Sequence, residues 1–205
     1  KIGGPVKDIL PVETEEQLIN TVQSLLQEEQ RTIVTNKSYL VIGGGSNLLV
    51  SDSGFDGTIV KNQIRGINTF SENIIVKSGE TLQALVDFAN DAGLTGLENL
   101  AGIPGTVGGA IYGNAGAYGQ TISDHILSVK IYDPRDGERK QYTLEQSQFG
   151  YRDSVFKRNR FIILEAVFSL SPADPKVLKQ TSLETIKKRE VKYPPGIIQS
   201  GRPAL

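Results

Sequence analysis

The chain has no cysteine, no methionine and no tryptophan, and it carries a single histidine, His125. Without cysteine there is no disulfide and no thiolate metal site, and one imidazole cannot assemble a zinc or iron centre from histidines. No metal is expected, so any redox chemistry here needs an organic cofactor. Charge excess is missing too: 22 basic residues face 23 acidic ones, for a net charge of −1. No basic stripe interrupts that balance, which predicts neither nucleic acid nor an anionic membrane as a partner. No apolar run approaches the roughly 20 residues of a membrane span. Lys1-Ile2-Gly3-Gly4 lacks the apolar core of a secretion signal. The lack of an initiator methionine gives the expectation that the sequence begins inside a longer gene product. Hydrophobic residues make up 38% of the 205, enough for one domain or two small ones with a buried core.

What the chain has in quantity is glycine, 22 residues. Gly43-Gly44-Gly45-Ser46-Asn47-Leu48 follows the apolar run Tyr39–Ile42. Gly102-Ile103-Pro104-Gly105-Thr106-Val107-Gly108-Gly109-Ala110 is continued by Asn114-Ala115-Gly116-Ala117-Tyr118-Gly119. Glycine lets main chain approach a ligand closely, and successive exposed N–H groups form a concave anion site. Two such loops, each expected at a strand end, suit a long ligand with a pyrophosphate in its middle. For Gly43 to Gly45 alone, a tight turn with no ligand is an equal alternative. The eight glycines between Gly96 and Gly119 exceed what turns require.

Thr14-Glu15-Glu16-Gln17 has the form of a capping box ahead of Leu18, Val22, Leu25 and Leu26, which predicts a helix from about Glu15 to Glu29. Strands are expected at Tyr39–Ile42, Gly57–Lys61 and Asn73–Gly79. Thr81 is placed to cap a helix with Leu82, Leu85, Val86 and Ala89 on one face, closed by Gly93. Ile126–Tyr132 and Lys140–Leu144 read as a hairpin joined through Asp133-Pro134-Arg135-Asp136-Gly137. Arg160–Leu170 reads as a final strand and Ser182–Lys192 as a terminal helix. The acidic residues of Glu13–Glu16 and Glu28–Glu29 read as solvated helix ends, and His125 as a strand-edge residue.

Neither loop matches a common nucleotide fingerprint. Leu48 stands where a dinucleotide Rossmann motif needs glycine, and neither loop ends in Gly-Lys-Ser/Thr. A different set of segments does carry a likeness: Ile2–Val6, Ile42–Val50, Gly96–Ala110 and Phe149-Gly150-Tyr151-Arg152-Asp153-Ser154-Val155-Phe156-Lys157. In that order they resemble the UDP-N-acetylenolpyruvoylglucosamine reductase (MurB) family, over residues 2 to 196. The Gly-Ile-Pro-Gly segment by itself is shared by flavoenzymes of the vanillyl-alcohol-oxidase type; the Tyr-Arg-Asp-Ser segment narrows the likeness.

The resemblance implies an α+β, two-subdomain FAD-binding fold of that type. A small αβ subdomain over residues 1–65 would supply Gly43, Gly44, Gly45, Ser46, Asn47 and Leu48. A larger α+β subdomain over 66–192 would supply Gly102, Ile103, Pro104, Gly105, Thr106, Gly108, Gly109, Ala110, Asn114, Ala115, Gly116, Ala117 and Gly119, with FAD between the two. It implies hydride transfer from NADPH through the flavin to the enolpyruvyl double bond of a UDP-sugar. Arg152 is then the catalytic residue, a guanidinium beside the developing negative charge; the alternative from the residues alone is an ion pair with Asp153 or Asp136. The family's proton donor is a serine in a Gly-Ser-x-Phe-Lys-Asn-Pro segment, which the 205 residues do not contain. Ser200 lies in an unmatching context, and residues 193–205 stand as a tail where a substrate domain is expected. Ser154 reads as a local cap, and Tyr118 and Tyr151 as buried tyrosines or as walls of a flavin or substrate site. An FAD module without turnover and another oxidase of the same fold both stay open, and the residues do not define an oligomeric state.

Overall fold

The first helix starts where its cap is written. The Thr14 hydroxyl accepts from the Gln17 amide at 3.1 Å, and the Gln17 side chain returns to the Glu13 amide at 2.9 Å. One amide of the first turn, which has no partner inside a helix, and the amide just ahead of the cap are thereby satisfied. In the computed structural model, which describes residues 4–31 and 39–192, this helix, α1, spans Glu15–Arg31. It connects strand β1 (Val6–Val12) to β2 (Tyr39–Ile42), and β3 (Phe55–Asn62) lies between them in a parallel sheet of order β1-β3-β2. Periodicity gave no sign of β1, because Val12 is its one buried residue.

A second sheet is antiparallel. It holds β4 (Ile67–Phe70), β5 (Asn73–Lys77), β9 (Ile126–Asp133), β10 (Glu138–Thr143) and β11 (Ile162–Ser169) in the order β10-β9-β11-β5-β4. Between β5 and β9 run helix α2 (Leu82–Asp91), the short strand β6 (Leu94–Thr95), helix α3 (Val107–Tyr112) and the small hairpin of β7 (Gly116–Ala117) and β8 (Gln120–Thr121). After β10 come α4 (Leu144–Ser147) and α5 (Val155–Asn159); β12 (Ser171–Pro172) and α6 (Pro175–Lys192) follow β11. Thr81 caps α2 by accepting from the Ala84 amide, as expected. Helix α6 begins seven residues before the expected start, and the expected tail at 193–205 lies outside the described residues.

The antiparallel sheet buries both faces. A register break between Ile163 and Glu165 shifts the alternation of β11. Ile163, Ala166 and Phe168 consequently join α2 and α3 in the larger core, while Ile162 and Leu164 turn to the other side. There they meet Tyr132 of β9, Leu18, Ile19 and Val22 of α1, and Val60 of β3. Helix α1 is thus a wedge with apolar contacts to both sheets.

Its N-terminus adds a polar lock. Glu15 is buried, and its two carboxylate oxygens take Lys77 Nζ of β5 at 2.6 Å and Lys130 Nζ of β9 at 2.8 Å. Lys77 is shared with Glu165 of β11 at 2.7 Å. The expectation of a solvated Glu15 fails because both lysines are distant in sequence and meet it only in the folded sheet. Burial by itself raises the Glu15 pKa, but hydrogen bonds from Lys130 and Lys77 outweigh it and hold the carboxyl below its ordinary value. Beside this lock, Asn62 Nδ2 donates to Ser78 Oγ at 2.8 Å, and the Gly79 amide donates to the Ile64 carbonyl at 3.0 Å. A Cβ at Gly79 would stand 2.4 Å from the Ile64 nitrogen, so main chain meets main chain at this junction.

Removing one partner of a buried ion pair typically costs about 3–5 kcal/mol. Lys77 and Lys130 are about one-third exposed, and screening reduces that cost. Glu15→Gln is expected to lower the unfolding free energy by about 1–3 kcal/mol, as measured by urea denaturation at pH 7. Because the folded carboxyl titrates low, its contribution is complete above the ordinary carboxylate range, about pH 4–5. It is lost as the pH falls through the lowered folded value. The difference between variant and parent should therefore shrink at pH 3; an unchanged difference there would refute the ion-pair account.

Candidate functional site

The two glycine loops abut. A Cβ on Gly43 would fall 2.1 Å from Thr106 Oγ1, and one on Gly44 would fall 3.4 Å from the Gly105 Cα. From the first loop, Ser46 Oγ donates to the Pro104 carbonyl at 3.0 Å. Gly105 has φ +122°, a value that side chains rarely tolerate, and a Cβ there would press on Ser46 Oγ at 2.8 Å. The sequence placed both loops at strand ends. The first does follow β2, but the second leaves the 3₁₀ turn Glu98–Leu100 and enters α3.

The second loop also spends more of its amides internally than its glycine content suggests. Val107 donates to the Glu80 carbonyl, Gly108 to the Ser78 carbonyl and Ala110 to the Thr106 carbonyl; Gly109 donates to the Thr106 hydroxyl, which caps α3. Gly102 donates to Gln83 Oε1 and Ile103 to the Leu100 carbonyl. Gly108, whose Cβ would stand 2.8 Å from that of Ser78, serves close packing of α3 on β5. Among the described residues the amides of Gly105 and Thr106 find no acceptor, and neither do those of Gly44, Gly45, Ser46 and Asn47. Leu48 returns its amide to the Gly45 carbonyl at 3.3 Å. The unspent donors thus come from both loops and lie where the loops touch.

Beyond α3 the chain folds into the β7–β8 hairpin, which faces the Gly150–Asp153 turn. Asn114 is buried and donates from Nδ2 to the Gly150 carbonyl at 2.9 Å; in return Arg152 Nη2 donates to the Gly116 carbonyl at 3.2 Å. Asn114, Gly116, Ala117, Gly119, Gln120 and Thr121 on one side and Gly150, Tyr151 and Arg152 on the other line an open cleft of about 280 Å³. Ala115 sits behind it, its amide bonded to the Ala110 carbonyl at 2.7 Å. Among the described residues, two buried oxygens here have no donor, Asn114 Oδ1 and Gln120 Oε1. Gln120 was not among the sequence-derived candidates; its signal was weak, a lone amide beside a glycine run.

Arg152 does not make the ion pair the sequence allowed. Asp153 binds Arg158, and Asp136 binds Lys140. The Arg152 guanidinium is exposed to the cleft, and its backbone takes φ +54°. A non-glycine residue in that region costs on the order of 1–3 kcal/mol. The surroundings over-determine it: the turn closes with Gly150 and Asp153 exchanging both amide bonds, at 3.0 and 3.3 Å. Lys157 Nζ donates to the Arg152 carbonyl at 3.0 Å. Ser154 caps α5 through the Lys157 amide and donates to the Tyr112 carbonyl at 2.8 Å, so its role is local, as expected.

Tyr118 and Tyr151 are exposed, 48% and 90%, so the alternative of buried, satisfied tyrosines falls. Tyr118 lies 5.4 Å from Arg189 of α6, which also donates to the Ala101 carbonyl and so braces the second loop. His125 ends a 3₁₀ turn just before β9, and its ring packs on Gly96. Glu98 accepts from Thr95 Oγ1 and the Gly96 amide. Burial raises its pKa, and these bonds more than offset that, holding it below the ordinary value. Among the described residues no group of acidic or histidine side chains could hold a metal ion, and no helix is long and apolar enough to cross a membrane.

Known proteins share this chain's sequence pattern and fold. Residues 9–142 match the FAD binding domain family. The chain is 40% identical over 195 residues to UDP-N-acetylenolpyruvoylglucosamine reductase of Solibacter usitatus, covering 95% of this chain and 60% of the relative. It is 38% identical over 202 residues to the enzyme of that name from Thermotoga petrophila, covering 98% and 67%. The crystal structure of MurB from Thermus caldophilus superposes with a TM-score of 0.74 at 31% identity, over 92% of this chain and 64% of that one. Berberine bridge enzyme, at 17% identity and a TM-score of 0.56, shares the fold alone. The chain spans about 60–67% of the length of the curated relatives named here. Its α+β architecture is that of the MurB and vanillyl-alcohol-oxidase-type FAD-binding folds, and the chain belongs to the UDP-N-acetylenolpyruvoylglucosamine reductase family.

Proposed function

We propose that these residues form the FAD-holding part of an enzyme that uses NADPH to reduce UDP-N-acetylglucosamine enolpyruvate to UDP-N-acetylmuramate, a cytoplasmic step of peptidoglycan precursor synthesis. The observation that carries the reading is the contact of the Gly43–Asn47 loop with the Pro104–Thr106 loop, where donors from both remain unspent. An anionic diphosphate needs that arrangement, since backbone N–H groups can hold it without cationic side chains. Residues 1–65 and 66–192 then act as two subdomains that meet around the cofactor. Gly43 to Leu48, with Gly105 and Thr106, hold the pyrophosphate. Gly102, Ile103 and Pro104 set the approach of the second loop, and Gly108, Gly109 and Ala110 pack α3 beneath it. Gly116, Ala117 and Gly119 form the wall against the flat ring, with Asn114 and Ala115 supporting it through bonds to the Gly150 and Ala110 carbonyls; no atom lies within 4 Å of a Cβ built on Gly119, so space exists there.

When bound, FAD supplies hydride transfer between the nicotinamide and the enolpyruvyl double bond. Arg152 is assigned to the negative charge that develops next to the substrate carboxylate, because its guanidinium is always protonated and presents a planar fork to two oxygens. The proton donor is assigned to the part of the relatives' length that these residues do not span. No Gly-Ser-x-Phe-Lys-Asn-Pro segment occurs in the 205 residues, and Ser200 lies outside the described ones.

The purified chain is expected to take up FAD in preference to FMN, because donors are offered from two loops; chromatography of the flavin released on denaturation decides it. Gly105→Val should abolish uptake while the far-ultraviolet circular dichroism is retained, since both the positive φ and the Ser46 contact forbid a side chain. Near-native FAD affinity in that variant would remove the second loop from the site.

In a chain of the relatives' full length, Arg152→Ala should leave flavin reduction by NADPH nearly intact and slow substrate reduction by about 100-fold or more. Stopped-flow separation of the half-reactions measures both, and equal slowing would reassign Arg152 to flavin placement. Residues 1–205 alone should show substrate-dependent NADPH oxidation near background, since general acid catalysis contributes about 10²- to 10⁴-fold.

A further inference from the structure

We infer that Asn114 and Lys157 are positioning residues for Arg152: they bond the Gly150 and Arg152 carbonyls of its left-handed turn, so that the guanidinium is delivered into the cleft at a fixed place. The inference rests on the proposed function in one respect, that this guanidinium faces what the cleft binds. Arg152 occupies a conformation that arginine does not favour, φ +54°, and its side chain has one hydrogen bond, 3.2 Å to a carbonyl, and a 5.9 Å approach to the ring of the exposed Tyr151. Left to itself, such a turn relaxes and the guanidinium swings with it. Two contacts oppose this. Asn114 Nδ2 reaches across 36 residues to the Gly150 carbonyl, the same oxygen that closes the turn by accepting from the Asp153 amide. Lys157 Nζ grips the carbonyl of Arg152 itself.

Asn114 suits the task by its chemistry. It also has a positive φ, +43°, which asparagine tolerates better than most residues. Its amide orientation is set by the Gly150 carbonyl, since the reversed rotamer would bring two oxygens together. That choice leaves Oδ1 buried without a donor. Lys157 lies five residues beyond Arg152 in the α5 helix, whose Ser154 cap is anchored to Tyr112 of α3. The turn is therefore tied at Gly150 to Asn114, two residues beyond α3, and through Ser154 to Tyr112, the last residue of α3.

The test uses ¹⁵N-arginine-labelled protein, with the Arg152 Nε–H resonance assigned by its loss in Arg152→Lys. In the parent this group should relax like ordered backbone. In Asn114→Gly, which keeps the positive φ and deletes the donor, and separately in Lys157→Met, it should approach the mobility of the exposed Arg65. Exchange of the Asp153 amide should accelerate at least tenfold, while Arg135, bound to Asp133 in another part of the fold, stays unchanged. With FAD bound, Arg152→Ala and Asn114→Gly should each shift the flavin midpoint potential to more negative values, and Asn114→Gly should add nothing in the Arg152→Ala background. Unchanged Arg152 mobility in both variants overturns the inference. So does an Asn114→Gly shift that persists without Arg152, which would make Asn114 a direct cofactor contact. If the parent takes up no FAD, the proposed function fails and the mobility measurements still decide the clamp; if Asn114→Gly does not fold, Lys157→Met decides it.

Discussion

The fold depends on one wedge. Helix α1 belongs by sequence to the small parallel sheet, yet Leu18, Ile19 and Val22 share a core with Tyr132, Ile162 and Leu164 of the antiparallel sheet. Apolar contact alone is non-directional and would tolerate sliding. Glu15 removes that freedom, because a carboxylate bound to ammonium groups from β5 and β9 fits one orientation of helix on sheet. The same placement sets the distance between the Gly43 loop at the end of β2 and the Gly105 loop ahead of α3. The apposition of the two glycine loops thus depends on a contact at the same end of the parallel sheet, where β1 and β2 both finish.

Local features were legible in the sequence wherever the signal was itself local. The Thr14 and Thr81 caps, the β9–β10 hairpin and the helical stripe Leu82–Leu85–Val86–Ala89 all depend on neighbours within a few residues, and all stand in the structure. Strand β1 was invisible because an edge strand with one buried residue has no alternation to read. Strand β4 was missed for the same reason, with three of its four residues exposed. Glu15 could not be distinguished from Glu16 by spacing; only the sheet brings Lys77 and Lys130 to it.

At the candidate site, glycine density pointed to two loops that meet in the structure and overstated what the second one offers. Counting glycines does not distinguish an amide that faces a ligand from one that faces Ser78 or Glu80. The division of labour follows from tertiary structure: the first loop keeps four consecutive amides unspent, while the second contributes two and uses the rest to seat α3. The Tyr-Arg-Asp-Ser segment was conspicuous, but its partners were not, because Asn114 and Gly116 reach it only through the hairpin.

Three non-glycine residues around the cleft, Asn114, Tyr118 and Arg152, share the left-handed backbone region. At each of them glycine would adopt the same φ with less strain. The cleft is therefore a place where thermal robustness and side-chain chemistry pull in opposite directions. A laboratory selection for heat resistance alone would turn first to Arg152, whose side chain makes one 3.2 Å bond to a carbonyl, and would retain Asn114, which ties the turn to Gly150. Strain would be relieved as the cleft lost the guanidinium that distinguishes it from an ordinary surface groove.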